Sequence, residues 1–117
     1  MIMSDTYRKD KGYAGEEMAL AYYREHGYRL IQQNYTIPGG EIDLIMTDEK
    51  SLVFVEVKVM DYLDDMYDYI TPAKRQALTR TIETYLRTSP SRLLQRLDVV
   101  FIHQGKIVEV FEDVTSM

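Results

Sequence analysis

The chain has 117 residues and a net charge of −5, with 45% hydrophobic and 28% charged residues, a profile typical of a soluble globular protein with a core. Because it contains no cysteine, the sequence excludes disulfides, a thiolate zinc site and a cysteine nucleophile. It shows no apolar run of membrane-spanning length and no signal-peptide core, so we expect a cytoplasmic protein.

The first predicted element is a helix over residues 10–26, with Gly27 directly after it as the expected stop. Its predicted apolar face consists of residues at helical spacing: Ala14, Met18, Ala21 and Tyr22. A strand is predicted over residues 28–35, and residues 38–40 form a turn.

Two strands joined by a short polar loop follow, over residues 41–47 and 52–59. Side chains alternate between the faces of a strand, so Glu56 and Lys58 share one face. The odd positions of the second strand are all valine: Val53, Val55, Val57 and Val59. One face of the hairpin is therefore anchored in a core, and the other carries charges.

The length of the loop sets the register of this hairpin. If the two residues that flank the loop pair with each other, Asp43 lies opposite Glu56 and Glu41 lies opposite Lys58. Opposed Cβ atoms are about 4.5–5.5 Å apart, so the two carboxylates repel unless a divalent cation or a proton relieves them. Mg²⁺ commonly uses one or two carboxylates plus a substrate phosphate, which suggests metal-dependent phosphodiester cleavage. Ordinary solvated charges, with Glu41 and Lys58 as a plain ion pair, are the alternative.

An acidic, tyrosine-rich loop over residues 60–70 leads to a second helix, with Thr71 as its N-cap and Pro72 in its first turn. Its buried stripe is predicted at helical spacing: Leu78, Ile82, Tyr85 and Leu86. Strands over residues 97–103 and 106–111 complete the chain. The crossover through the second helix predicts that its two flanking strands are parallel.

Charge is distributed unevenly along the chain. Residues 74–96 carry six bases and one acid, whereas residues 59–73 carry four aspartates and no base. The negative net charge argues against a nucleic-acid partner, but a basic helix beside an acidic metal site fits a phosphodiesterase. A simply solvated helix face explains the bases equally well.

Asp43 followed by Glu56-Val57-Lys58 matches the PD-(D/E)xK pattern of restriction-endonuclease-like nucleases. Over about residues 12–103 the chain resembles the bacterial YraN family, also called UPF0102, which is similar to archaeal Holliday junction resolvases. The matching segments are Gly15-Glu16, Gly27-Tyr28, Gly39-Gly40-Glu41-Ile42-Asp43-Leu44-Ile45, Leu52-Val53-Phe54-Val55-Glu56-Val57-Lys58, Lys74 and Asp98-Val99-Val100.

The resemblance implies an α/β, restriction-endonuclease-like fold. It would have a mixed sheet of about four to five strands and two main helices in the order α-β-β-β-α-β. A single endonuclease-like domain would span residues 1–117, with its core at about 12–112.

The implied function is a Mg²⁺- or Mn²⁺-dependent endonuclease acting on DNA, including branched or structured DNA. Because cutting two strands requires two sites, a homodimer is expected. The alternatives are a non-catalytic nucleic-acid- or protein-binding module that retained the fold, and RNA as substrate.

Candidate site residues follow from the motif and the resemblance. The candidate metal ligands supply oxygen donors: Asp43, Glu56, the carbonyl of Val57, and Glu16. Lys58 would orient or activate the attacking water or stabilise charge on the phosphate, and Glu16 and Glu41 are further catalytic candidates. The candidate nucleic-acid contacts are cationic residues of the second helix: Lys74, Arg75 and Arg80.

The segment after Lys58 departs from the family pattern, in which a small hydroxyl residue and an arginine usually follow. Here the segment contains the four aspartates of the acidic loop, which repel DNA on that side. Such a loop can instead gate the site or face a partner protein. Its tyrosines are candidates for stacking on unpaired bases or for anchoring the loop: Tyr62, Tyr67 and Tyr69.

Overall fold

The computed structural model describes residues 5–114, with side chains from residue 12 onward. Its elements are α1 (Asp5–Glu25), β1 (Arg29–Ile37), β2 (Gly40–Thr47), β3 (Ser51–Met60), a short 3₁₀ helix (Leu63–Met66), α2 (Pro72–Thr88), β4 (Leu94–His103) and β5 (Lys106–Phe111). The strands form one mixed sheet in the order β1-β2-β3-β4-β5, in which β3 and β4 are parallel and the other neighbours antiparallel. The predicted α/β class, order of elements and parallel crossover are confirmed.

Helix α1 covers one face of the sheet through a side that overlaps the predicted one in part, because the predicted Met18 and Tyr22 are partly buried against this core. The residues buried there are Gly15, Ala19, Leu20 and Tyr23. The predicted Ala14 and Ala21 are exposed instead. Gly15 explains the difference, because a Cβ on it would lie 2.9 Å from Val59 Cγ2 and 3.2 Å from Ile102 Cδ1. The missing side chain lets α1 approach β3 and β4 closely.

The predicted end of α1 and start of α2 are confirmed, whereas α1 begins at Asp5 and not at residue 10. Gly27 has a φ of 87° and ends α1 with a hydrogen bond from the Tyr28 amide to the Tyr23 carbonyl at 3.0 Å. Thr71 caps α2, because its hydroxyl accepts a hydrogen bond from the Lys74 amide at 3.1 Å. In the described part of the chain, neither helix is long and apolar enough to cross a membrane.

Helix α2 covers the other face of the sheet through its predicted stripe. Leu78, Ile82 and Tyr85 are buried, and Leu86 is half-buried against the same core. The core under α2 continues into the even positions of β3, such as Phe54, whereas the odd positions pack under α1. Glu56 and Lys58 therefore lie on the α2 side of the sheet.

Close packing between β2 and α2 depends on Gly40. A Cβ at this position would clash with the hydroxyl of Thr81, which is fully buried and donates to the Ala77 carbonyl at 2.8 Å. We expect Gly40→Ala to lower the free energy of unfolding by about 2–3 kcal/mol in urea denaturation. The matched control is Gly12→Ala, because nothing lies within 4 Å of that Cβ. If Gly40→Ala lowers the free energy of unfolding no more than Gly12→Ala does, the close packing of Gly40 against Thr81 is contradicted.

A buried carboxylate in the family-matching segment Asp98-Val99-Val100 ties the end of the chain to the sheet. Asp98 on β4 is fully buried and accepts a hydrogen bond from the Tyr23 hydroxyl at 2.6 Å. Arg96 donates to it through Nε at 2.9 Å and Nη2 at 3.0 Å, and the Asp113 amide donates at 3.0 Å. Next to Asp113, Val114 is fully buried in the core under α2. The Asp98 network therefore holds the segment after β5 in place.

Candidate functional site

The predicted hairpin register is confirmed from Thr47 paired with Leu52 to Leu44 paired with Val55, but the ladder ends there. In this register the Val57 amide would next bond to the main chain of Ile42. It donates instead to Asp43 Oδ2 at 2.7 Å. The predicted ladder pair of Asp43 with Glu56 therefore does not form, because a side chain has replaced the next main-chain bond.

The predicted ladder pair of Glu41 with Lys58 lies beyond this opening and does not form either. Glu41 pairs with Thr36 of β1. Its side chain is exposed. The two hairpin strands thus separate at the acids.

Strand β1 is irregular at the same level. Asn34 lies across from Asp43, between two regular pairs of the β1–β2 ladder, and has a φ of 52°. Ile42 packs in the core under α2 although Leu44, two residues away, packs under α1. A regular strand would place both on one face, so β2 turns about its axis at Asp43. Irregularities of this kind re-aim side chains near functional sites.

Three acids lie in a row at this opening. The Asp43 carboxyl lies beside those of Glu56 on β3 and Glu16 on α1, close enough to share a proton with either. Burial, with the hydrogen bond and charge of Glu56, raises the pKa of Asp43 well above its usual range. Burial also raises the pKa of Glu16, and the nearby charge of Glu41 adds to this shift. The row therefore favours a bound proton or a cation over full ionisation.

Glu56 is bound from its other side by α2 and the loop before it. Its side chain is 8% exposed, and Lys74 Nζ lies 2.8 Å from Oε2. The Tyr69 hydroxyl donates to the same oxygen at 3.2 Å. Partial burial opposes the charged form of Lys74, but the hydrogen bond and charge of Glu56 raise its pKa above the usual range. Burial and the Glu56 charge raise the pKa of Tyr69 to about 12.

The Tyr69 ring joins both lysines of the site. Lys58 Nζ lies 5.3 Å and Lys74 Nζ 5.4 Å from its centroid, distances at which a cation is attracted by the ring. Phe101 supports the ring edge-on at 5.9 Å. Tyr69 was predicted from the sequence as a stacking or anchoring residue, but its contact with Glu56 was not predicted. The one signal available was its position two residues before the N-cap Thr71.

The remaining candidate contacts lie farther along α2. Arg75 and Arg80 line an open groove on the helix surface together with Pro72, Gln76, Thr79 and Glu83. Arg80 Nη2 donates to the Gly39 carbonyl at 3.1 Å, which ties the β1–β2 turn to α2. Arg80 therefore has a structural contact and remains exposed.

The donor set at the opening fits a hard divalent cation, although the acids do not surround one point. Among the residues described, no three His, Asp or Glu side chains are grouped so as to hold a metal. Carboxylate and carbonyl oxygens are the ligands that Mg²⁺ prefers, and among the residues whose side chains are described the groups that shift the pKa of Asp43 are acids and a backbone amide. The residues that would hold such an ion are Asp43, Glu56, the Val57 carbonyl and Glu16.

The fold and the site define an α/β protein with acids and lysines gathered where a β-hairpin opens. Residues 15–102 match the model of the Uncharacterised protein family UPF0102, and the chain belongs to this family. The predicted family resemblance is confirmed.

Relatives in this family cover most of the chain. A UPF0102 protein of Nitrosococcus oceani is 40% identical over 108 residues, covering 89% of this chain and 87% of the relative. One of Psychromonas ingrahamii is 40% identical over 94 residues, covering 79% and 77%. One of Syntrophus aciditrophicus is 36% identical over 121 residues, covering 97% and 94%. All three relatives are named for the family alone, and their names state no activity.

Proposed function

We propose that this protein is a Mg²⁺- or Mn²⁺-dependent endonuclease that hydrolyses phosphodiester bonds in DNA. The observation that carries the proposal is the contact of Asp43 with Glu56 where the β2–β3 ladder opens. Like charges placed together in a half-buried site destabilise a fold, so an arrangement that retains them is explained by a cation they serve to bind. Lysines around the same acids add the positive charge that a phosphate needs.

The residues of the opening would divide the chemistry among them. Asp43, Glu56, the Val57 carbonyl and Glu16 would hold the ion, which when bound generates a nucleophilic water and neutralises charge on the phosphate. Lys58, on the same face of β3 as Glu56, would orient that water or stabilise the phosphate oxygens. Water adds to phosphorus as the bond from phosphorus to the leaving sugar oxygen breaks.

The substrate would run along α2. Its basic residues, including Arg75 and Arg80, supply the phosphate contacts, whereas the four aspartates of the acidic loop keep the nucleic acid from the side before α2. Branched or structured DNA is the expected class, and a homodimer would carry two sites for two strands.

A second function from another class has its own support. Lys74 already neutralises Glu56 in the structure, at 2.8 Å. A non-catalytic nucleic-acid- or protein-binding module would keep this ion pair as a permanent brace and would need no metal. Binding would then depend on the arginines of α2 and not on Asp43.

Metal-dependent unfolding and cleavage together test the nuclease proposal. We expect millimolar Mn²⁺ or Mg²⁺ to raise the midpoint of thermal unfolding, because an ion that binds only the folded state stabilises it. We also expect the same ions, but not EDTA, to support cleavage of a synthetic four-way DNA junction. Linear duplex DNA, single-stranded DNA and duplex RNA tested alongside it identify the substrate class.

Glu56→Gln should lose both the metal shift and the cleavage while remaining folded by circular dichroism. Glu49→Gln makes the same chemical change in the exposed hairpin loop and should lose neither. If the unmodified protein shows no metal shift and cuts none of the substrates, but Arg75→Gln or Arg80→Gln weakens DNA binding, the binding module is correct.

A further inference from the structure

Glu56 Oε2 is saturated by donors in the structure. A carboxylate oxygen offers two lone pairs, and here one accepts from Lys74 Nζ at 2.8 Å and the other from the Tyr69 hydroxyl at 3.2 Å. The same carboxyl group also lies beside that of Asp43. A cation that takes Glu56 as a ligand through this oxygen must therefore displace a donor.

Lys74 is the donor that can leave. Its side chain is 38% exposed, whereas that of Glu56 is 8% exposed, so Lys74 can swing toward solvent and Glu56 cannot. A lysine ammonium is a point charge on a flexible four-carbon stem, which makes such exchange easy. The Tyr69 ring, 5.4 Å from Lys74 Nζ, offers a nearby surface for the displaced cation.

We propose that Lys74 is the exchangeable counter-ion of Glu56, and that a divalent cation displaces it when it binds Glu56 through Oε2. The inference rests on the proposed metal site and adds that Lys74 competes with the metal ion for Glu56. While no ion is bound, Lys74 neutralises Glu56; once displaced, its ammonium is free to bind a substrate phosphate. Competition with Lys74 weakens metal binding in the absence of substrate. A phosphate that captures Lys74 removes the competition, so metal and phosphodiester bind cooperatively.

Mn²⁺ titration without nucleic acid tests this proposal directly, using isothermal calorimetry on the wild type, Lys74→Met and Lys58→Met. Methionine retains the length of the apolar stem and removes the charge. Lys58 is the matched control because it lies as close to the Tyr69 ring but has no ion pair with Glu56 among the described contacts. Any general effect of removing a positive charge appears in both variants, and direct competition appears only at Lys74.

We expect Lys74→Met to bind Mn²⁺ about ten-fold more tightly than the wild type, the size expected from one charge-assisted hydrogen bond. The change in Lys58→Met should be no more than about three-fold, from screened charge alone. Adding Asp43→Asn to Lys74→Met should abolish the gain, which assigns it to this site. Circular dichroism shows that each variant is folded.

The outcomes separate the two proposals. If the wild type binds Mn²⁺ and Lys74→Met binds it equally or more weakly, the counter-ion role is overturned and the nuclease proposal stands. Equal gains in Lys74→Met and Lys58→Met also overturn it. If none of the three proteins binds Mn²⁺ and the wild type cleaves no DNA, both proposals fail. If only Lys74→Met binds Mn²⁺, the counter-ion role is supported, because Lys74 then prevents detectable metal binding in the wild type.

Discussion

Replacing Asp43 with asparagine is expected to raise the free energy of unfolding of the metal-free protein at pH 7 by about 1–2 kcal/mol, while lowering cleavage by roughly 10³-fold. The stability gain arises because asparagine is neutral without binding a proton, whereas Asp43 beside Glu56 must either carry a charge or take up a proton that the unfolded chain releases. Its side-chain oxygen can still accept the Val57 amide bond that Asp43 accepts at 2.7 Å. The loss of activity arises because a neutral amide is a poor ligand for a hard cation. Sites of this kind trade stability for function.

The pH dependence follows from the direction of the Asp43 pKa shift. The pKa of Asp43 is raised in the folded state, so the folded protein holds its proton more tightly than the unfolded chain does. The metal-free wild type therefore loses stability as pH rises from the unfolded value, about 3.9, toward the folded pKa. The asparagine side chain of the Asp43→Asn variant does not titrate. Since the folded pKa of Asp43 is raised to about 9, the stability difference should be small near pH 4, clear at pH 7 and still growing above it.

Urea denaturation in EDTA, followed by circular dichroism at pH 4, 5.5 and 7, measures this difference. Asp64→Asn is the matched control, because it removes the same charge from an exposed position of the acidic loop. It should show no comparable dependence on pH. A wild type more stable than Asp43→Asn at pH 7 without metal would contradict the destabilising contact of Asp43 with Glu56 on which the metal proposal depends.

Replacing Asp98 with alanine is expected to lower the free energy of unfolding by about 3–5 kcal/mol, the usual cost of removing one partner from a buried ion pair. The fully buried Asp98 carboxylate accepts four hydrogen bonds, from Tyr23, Arg96 and the Asp113 amide. Alanine would leave these donors without their acceptor. Because small domains are typically stable by only about 5–15 kcal/mol, this variant should be close to unfolding at physiological temperature.

Tyr23→Phe provides a graded comparison for Asp98→Ala. It removes one of the four hydrogen bonds and leaves the Arg96 ion pair intact, so a loss of about 1–1.5 kcal/mol is expected. Chemical denaturation of both variants gives the two values. Similar losses in Tyr23→Phe and Asp98→Ala would show that the carboxylate contributes little beyond the tyrosine bond.

Local rules predicted the parts of the fold that depend on neighbouring residues. The hairpin register followed from its loop length and the alternation of its valines, and the end of α1 and start of α2 followed from Gly27 and Thr71. Each rests on a short-range interaction whose geometry is nearly independent of the remaining fold. The sequence therefore correctly predicted that Asp43 and Glu56 lie at the end of the hairpin away from its loop.

The rest of the site depends on how distant segments pack, which a linear pattern does not contain. The buried side of α1 was predicted only in part, because Gly15, which packs against β3 and β4, gives no hydrophobic signal. The contacts of Tyr69 and Lys74 with Glu56 depend on the angle at which α2 crosses the sheet and on the path of the preceding loop. Similarly, the end of the ladder at Asp43 comes from a side chain competing with the main chain, which strand periodicity does not describe.

The hydrogen bond from the Val57 amide to Asp43 gives the site a built-in spectroscopic reporter. Elsewhere along the β2–β3 ladder, strand amides are bonded to main-chain carbonyls, and their exchange with solvent deuterium reports on opening of the sheet. The Val57 proton is instead held by a carboxylate, so its resonance frequency and exchange rate respond to the charge on Asp43. Protonation of the acid or capture of an ion would thus be visible at one backbone nitrogen, without substrate or turnover.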